Sequence, residues 1–183
     1  MARRIEARWE NWNGQGLQHV LLTQSAERLL AEGSINILGD PAFAGEFKIE
    51  CDAVWRVRCA EITLVGRKQA FRLTADGEGN WFDAAGEPLP ELLGAIDIDL
   101  SASPFTNTLP IRRCNLALGE SVDIATAYVA FPELTLTADP QRYTRIGEQR
   151  YRYESRDTDF TREIDVDEAG LVVNYPGLFR RVL

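Results

Sequence analysis

Residues 95–116, AIDIDLSASPFTNTLPIRRCNL, decide the fold that we predict for this chain. The first part of the stretch alternates between apolar and acidic residues, and this period of two is typical of a β-strand. Asp97 and Asp99 would lie together on one face of that strand. The apolar residues of the other face are Ile96, Ile98 and Leu100.

A tight corner follows the strand. A serine and a proline come next, in the order of a helix N-cap and a first helical position, which predicts one short helical turn near 103–108. The residue before Pro110 is pushed toward an extended conformation, so we expect a second strand over 111–116. This second strand carries Arg112 and Arg113, and two carboxylates and two guanidiniums therefore meet at the corner.

Short alternating segments make up the rest of the chain. Turn signals such as Asn13-Gly14, Asp76 to Gly79 and Asp139-Pro140 separate them. After Cys59 the apolar phase slips by one residue, and such a slip requires a bulge or a turn. Regularly spaced short strands indicate an all-β sandwich, roll or barrel, and 183 residues are enough for one domain over 1–183.

The charge balance excludes one class of partner. The formal net charge is −8 and the basic residues form no run, which argues against nucleic acid because phosphate contacts need a positive face. Lys48 and Lys68 are the only lysines. Arginine favours bidentate pairing with carboxylates, so we expect many arginines to pair across strands.

The cysteines and the apolar segments bear on location. The three cysteines have no C-x-x-C spacing and are interpreted as reduced thiols. The N-terminal residues lack the apolar segment of a secretion signal, and no apolar run is long enough for a transmembrane segment. We therefore expect a cytoplasmic protein.

Asp97 and Asp99 are the one arrangement that could support catalysis. Positions i and i+2 of a strand are about 6.6–6.8 Å apart, which overlaps the roughly 6.5–9.5 Å between the carboxyl groups of inverting glycosidases. The alternative is an ion pair with Arg112 or Arg113 across the corner. Successive arginines of a strand point to opposite faces, so only one of them would face the aspartates. No metal or cofactor motif accompanies the pair, and we expect no cofactor.

Aromatic residues suggest either a filled core or the mouth of a pocket. Tyr151 and Tyr153 share one face of a predicted strand, while Arg150 and Arg152 share the other. A face with apolar rings and hydroxyl tips would suit the entrance of a pocket for an amphiphile.

The corner motif DIDLSASPFTNTLPIRR resembles the signature of a bacterial family described as "putative glycolipid-binding". Further segments match that family in order along nearly the whole chain: Cys51-Asp52 with Trp55, Pro88 to Leu92, Phe131-Pro132, Gln141 to Tyr143, Tyr151 to Tyr153 and Asp167 to Pro176. The resemblance implies a spiral β-roll or open half-barrel of about 11–13 mostly antiparallel strands, similar to lipid carriers that enclose an apolar cavity.

We therefore predict a non-catalytic protein that binds a lipid or glycolipid-like amphiphile. An acyl chain would be buried among inward aromatic and aliphatic residues, and the polar corner would hold a sugar or acidic head group. Two alternatives are a sugar-directed hydrolase or isomerase using Asp97 and Asp99, and an interaction module, including a homodimer, that pairs through a strand edge. The candidate ligand-binding residues are Trp9, Trp55, Asp97, Asp99, Asn107, Arg112, Arg113, Tyr143, Tyr151 and Tyr153.

Overall fold

The alternating segments form one continuous sheet of 14 strands. A computed structural model describes residues 2–183, and the all-β prediction is confirmed with one strand more than the predicted range. The first seven strands are β1 Arg3–Asn11, β2 Gly16–Gln24, β3 Arg28–Ile37, β4 Phe43–Asp52, β5 Val57–Leu64, β6 Phe71–Ala75 and β7 Trp81–Phe82. The others are β8 Asp97–Leu100, β9 Ser121–Ala130, β10 Thr135–Gly147, β11 Arg150–Ser155, β12 Thr161–Val166, β13 Val172–Tyr175 and β14 Phe179–Arg181.

The strand order shows how the two halves of the chain combine. It runs β7-β6-β5-β4-β3-β2-β1-β14-β13-β12-β11-β10-β9-β8, so the two terminal strands pair in the middle, with Trp9 opposite Arg181. Every neighbouring pair is antiparallel except β8 and β9, which are parallel. The segment between β7 and β8 connects the two edges of the sheet, and the corner that follows β8 lies against its concave side.

The predicted phase slip after Cys59 is a β-bulge. Glu50 pairs with Cys59, but the next residue, Cys51, pairs with Val57, which leaves Arg58 as the extra residue. The bulge moves the apolar phase of β5 by one position, and Ala60, Ile62 and Leu64 continue the buried face.

The corner is more helical than the sequence analysis predicted. A 3₁₀ turn covers Pro104–Asn107 as expected, but a helix, α1, follows over Thr108–Cys114 where we predicted a strand over 111–116. The strand prediction was wrong because Pro110 lies in the first turn of α1. Backbone N–H groups of the first turn make no intrahelical hydrogen bond, so a proline there does not interrupt the helix. α1 ends at Cys114, and the C-cap residue Asn115 has a left-handed φ of 44°, which is typical of a helix C-terminus.

The turn predicted at Asp139-Pro140 is also wrong. β10 continues through both residues, with Asp139 opposite Thr126 and Pro140 opposite Ala125 on β9. On the other side, β11 pairs with β10 only from Gln141 onward. A proline is tolerated where the hydrogen-bond ladder leaves its nitrogen unpaired.

The corner packs into the concave side of the sheet. The Phe105 ring of the 3₁₀ turn stacks on Phe47 of β4 with 6.3 Å between centroids, and Leu109 of α1 is fully buried in the same cluster. Packing there is tight, since a Cβ on Gly33 would lie 2.3 Å from the Phe47 ring. The β1–β7 half of the roll is therefore filled by the protein's own side chains.

A second apolar cluster lies under the C-terminal half of the sheet. Its members come from α1 and its C-terminal extension and from β10 to β14: Ile111, Leu116, Tyr143, Tyr151, Tyr153, Ile164, Val166, Val172, Tyr175 and Phe179. Four of them are tyrosines, so this half brings hydroxyl groups into the concave side. Within residues 2–183, no helix has the length and hydropathy that a membrane span requires.

Candidate binding cleft

Asp97 is held by Arg113 in a bidentate ion pair. Arg113 Nη2 lies 2.6 Å from Asp97 Oδ2, and Arg113 Nε lies 3.0 Å from Oδ1. The Asp97 side chain is fully buried and Arg113 is largely buried. Arg113 lies in the last turn of α1 and reaches back to Asp97 on β8. The ion pair between the two sides of the corner therefore forms, although the strand predicted over 111–116 is a helix.

Asp99 has a different set of partners. Thr106 Oγ1 of the 3₁₀ turn lies 2.9 Å from Asp99 Oδ1, and Gln141 Nε2 of β10 donates to Asp99 Oδ2 at 2.8 Å. The same Gln141 nitrogen is 2.6 Å from Asp139 Oδ2. Two carboxylates from different strands therefore share one amide donor, and Oε1 of the fully buried Gln141 has no hydrogen-bond partner among residues 2–183.

Burial dominates the electrostatics of this group. It raises the pKa of Asp99, and the neighbouring charges of Asp139 and Asp97 raise it further against the hydrogen bonds from Gln141 and Thr106. Burial also raises the pKa of Asp139, with Asp157 adding to the effect. Both carboxylates are thus short of the compensation that a nearby cation would supply.

An aromatic wall stands opposite these carboxylates. Tyr153 contacts Phe160 edge-on with 5.9 Å between centroids, and Tyr175 lies 6.4 Å from Tyr153 and 6.3 Å from Phe179. Tyr143 packs behind Tyr153 and donates its hydroxyl proton to Asn107 Oδ1 at 2.9 Å. The tyrosine therefore fixes the orientation of the Asn107 amide.

The carboxylates and the aromatic wall enclose a cleft of about 460 Å³ that opens to solvent. This volume is in the range of small-molecule sites. The residues that line the cleft are Asp99, Leu100, Ser101, Ser103, Asn107, Tyr128, Thr137, Asp139, Tyr153, Ser155, Asp157, Thr158, Phe160, Tyr175, Leu178 and Phe179. Polar, aromatic and aliphatic side chains therefore line the same cleft.

The structure brings together only part of the predicted set. Asp99, Asn107 and Tyr153 line the cleft, and Tyr143 lies directly behind it. Asp97 and Arg113 lie outside its lining as a closed ion pair. This arrangement does not support joint catalysis by Asp97 and Asp99.

The two predicted tryptophans lie in the packed core. Trp9 is fully buried and donates its indole N–H to the Val172 carbonyl at 2.7 Å. Trp55 is 6% exposed, and the Arg112 guanidinium lies 5.5 Å from its ring centroid. Neither tryptophan lines the cleft, so an acyl chain would not reach them without displacing core residues.

Arg112 and Tyr151 line a second, smaller cleft of about 260 Å³. Its other lining residues include Arg145, whose guanidinium is 6.0 Å from the Tyr151 ring centroid, and Asp167 and Glu168. The two predicted head-group arginines are therefore apart from Asp99: Arg113 is paired, and Arg112 belongs to a separate surface.

Sequence reasoning missed the β10 contribution to the cleft. Asp139, Gln141 and Tyr143 are two residues apart and share one face of a strand, and this spacing would have placed all three on the concave side. We interpreted Asp139 as part of a turn instead, which removed it from that face. Asp157, Phe160 and Tyr175 arrive from distant loops and strands, and no local pattern joins them.

The chain forms a β-roll with one cleft lined by polar and aromatic side chains, and comparisons with known proteins identify its family. Residues 6–181 match the model of a family described as "Putative glycolipid-binding". The crystal structure of a DUF1089 family protein from Pseudomonas aeruginosa superimposes with a TM-score of 0.80 at 35% sequence identity, covering 90% of this chain and 92% of that one. A search of curated proteins found no match. The chain belongs to the family that carries this description.

Proposed function

We propose that the cleft binds a lipid or glycolipid-like amphiphile without transforming it. The observation that carries this proposal is the mixed lining of the cleft. Asp99, Asn107 and Asp139 offer hydrogen-bond acceptors and donors, and Phe160 and Phe179 offer apolar surface in the same cleft. A head group and the first part of an acyl chain need these two surfaces side by side.

The site differs from the enclosed cavity that the sequence analysis predicted. Because the β1–β7 half is filled, the chain of the amphiphile would lie along the aromatic wall rather than between Trp9 and Trp55. Leu178 lines the cleft and is 37% exposed, and it marks the apolar end of this path. Each methylene removed from water contributes about 0.8 kcal/mol.

Two further observations bear on the setting. The free thiols of Cys51, Cys59 and Cys114 are typical of a reducing compartment and support action in the cytoplasm. The edge strands β7 and β8 are two and four residues long, so they offer little surface for pairing through a strand edge.

The test uses octyl β-glucoside as a probe below its micelle concentration. Calorimetric titration should show one bound molecule per chain, and native mass spectrometry of gently purified protein should show co-purified lipid. Thr137→Trp places a large side chain in the cleft from an exposed strand position and should weaken binding about tenfold or more. Thr135→Trp is the matched control, since Thr135 is exposed on the same face of β10 but lies outside the lining.

Equal affinities for the two tryptophan variants would exclude this cleft as the site. Failure of the wild-type protein to bind the probe, together with repeated recovery of protein free of lipid, would exclude the function itself.

A further inference from the structure

The charge of the cleft restricts the head group that it can accept. Three carboxylates line it, from Asp99, Asp139 and Asp157, and its lining contains no lysine, arginine or histidine. Within residues 2–183, no cation forms an ion pair with Asp99 or Asp139, so a phosphate or sulfate head group beside these two carboxylates would be repelled. The acidic head group allowed by the sequence analysis required an arginine at this site, and the structure places Arg112 and Arg113 elsewhere.

The aromatic wall favours positive charge. The faces of tyrosine and phenylalanine rings carry negative electrostatic potential and attract ammonium and guanidinium groups within about 6 Å. The wall already shows this preference, because the Arg162 guanidinium lies 4.6 Å from the Phe160 ring centroid. Arg162 is not part of the cleft lining, whereas Tyr153 and Tyr175 are, so the small exposed part of each tyrosine borders the cleft.

Polar groups at and beside the cleft have unused hydrogen-bonding capacity. The hydroxyls of Tyr153 and Tyr175 make no hydrogen bond within residues 2–183, and their oxygens stay accessible where the side chains border the cleft. Gln141 is fully buried, divides one amide nitrogen between Asp99 and Asp139, and leaves its Oε1 unpaired. The two tyrosine hydroxyls are therefore free to accept hydrogen bonds from a ligand, and the shared Gln141 amide leaves Asp99 and Asp139 with capacity for a further donor.

We infer that the cleft binds the protonated amine of the amphiphile's head group. The ammonium would lie between the carboxylates of Asp99 and Asp139 and against the rings of Tyr153 and Tyr175, whose hydroxyls can accept hydrogen bonds from it. This inference rests on the proposed function and names its head-group class: an amino sugar or a simple ammonium head, not a phosphorylated or sulfated one.

The test compares three probes with one octyl chain: octylammonium, octyl β-glucoside and octyl phosphate. Calorimetric titration at neutral pH and moderate salt should give octylammonium an affinity at least about tenfold higher than the glucoside, with no measurable binding of the phosphate. Asp139→Asn should remove most of the preference for octylammonium. Asp123→Asn changes the net charge equally at a surface carboxylate outside the cleft and should leave the preference unchanged.

The outcomes separate the two proposals. If the glucoside binds as tightly as octylammonium, or if both aspartate variants change the preference equally, the ammonium site is wrong while amphiphile binding stands. If the phosphate binds best, the inferred charge selectivity is reversed and is also wrong. If none of the three probes binds, the proposed function fails and the ammonium site fails with it.

Discussion

Asp97 and Asp99 are two positions apart on β8, and their carboxylates have different partners. Asp97 is closed off by Arg113, whereas Asp99 receives only neutral donors and faces the cleft. A buried ion pair such as Asp97–Arg113 favours one arrangement of the chain. A carboxylate without a cationic partner, such as that of Asp99, can still accept hydrogen bonds from a ligand. We therefore assign Asp97 to holding the corner and Asp99 to the candidate site.

Asp97→Asn tests this assignment. The substitution removes the charge opposite Arg113 and leaves a largely buried guanidinium without its anion. Breaking a buried pair by removing one partner costs roughly 3–5 kcal/mol, so we expect a loss of that size in the free energy of unfolding, measured by urea denaturation. Asp123→Asn is the control, because its pair with Arg142 is at the surface and its loss should change stability little. Similar stability of the two variants would contradict a structural role for Asp97.

At the scale of elements, some features of the corner follow from neighbouring residues in the sequence and others do not. The β8 alternation, the Ser103 cap and the Pro104 turn follow from nearest neighbours in the sequence, and the structure confirms them. Ser103 Oγ accepts a hydrogen bond from the Phe105 N–H, as an N-cap does. The strand predicted after Pro110 failed because the rule for the residue before a proline competes with the tolerance of a first helical turn for proline. Leu109, the residue before Pro110, is fully buried in the helical conformation. Rules that use only neighbouring residues do not include this tertiary packing.

Thr106 connects the corner to β8 through one hydroxyl group. Its Oγ1 accepts a hydrogen bond from the Leu100 N–H at 3.2 Å and lies 2.9 Å from Asp99 Oδ1. Thr106→Val keeps the shape of the side chain but leaves both buried groups without this partner, and we expect a loss of about 1–3 kcal/mol. Thr106→Ser retains the hydroxyl and is the matched control. The measurement is the urea midpoint at constant m-value, and a valine variant as stable as the serine variant would show that the hydroxyl is not needed.

At the scale of the whole molecule, the cleft is a product of topology. Its carboxylates come from β8, β10 and the loop after β11, and its aromatic residues come from β9 and from the segment β11 to β14. The sequence indicated an all-β fold and most strand positions through period-two alternation, but that period does not specify how far the sheet curls. The same limit applies to Trp9 and Trp55. Alternation places Trp9 on the buried face of β1, but Trp55 lies in the turn between β4 and β5 with a left-handed φ of 68°. Neither pattern reveals that both tryptophans share one buried cluster with Phe105 and Leu109.

Burial of Asp139 in the cleft lowers the stability of the fold but favours binding of a cation. The pH dependence of the free energy of unfolding can measure the first effect. Burial raises the pKa of Asp139 above that of the unfolded chain, so the folded chain holds this proton more tightly. Ionised Asp139 therefore opposes folding increasingly as the pH rises through the interval above the ordinary carboxyl pKa of about 3.9, and the cost is complete above the raised folded value. Asp139→Asn carries no such cost. Relative to wild type, its free energy of unfolding should rise from about pH 4 to neutral pH, while its affinity for octylammonium falls.

Asp123→Asn should show the opposite sign in the same urea series. Hydrogen bonding to Arg142 lowers the pKa of Asp123, so its contribution to stability is present above the ordinary carboxyl pKa and is lost as the pH falls through the lowered folded value. The variant lacks that contribution, and it should lose a small amount of stability relative to wild type toward neutral pH, because the pair is exposed. A flat difference between Asp139→Asn and wild type across the pH range would show that Asp139 is as well solvated in the cleft as in the unfolded chain. Because desolvation is what leaves Asp139 in need of a cation, that result would also remove the physical reason for the cleft to prefer an ammonium head group.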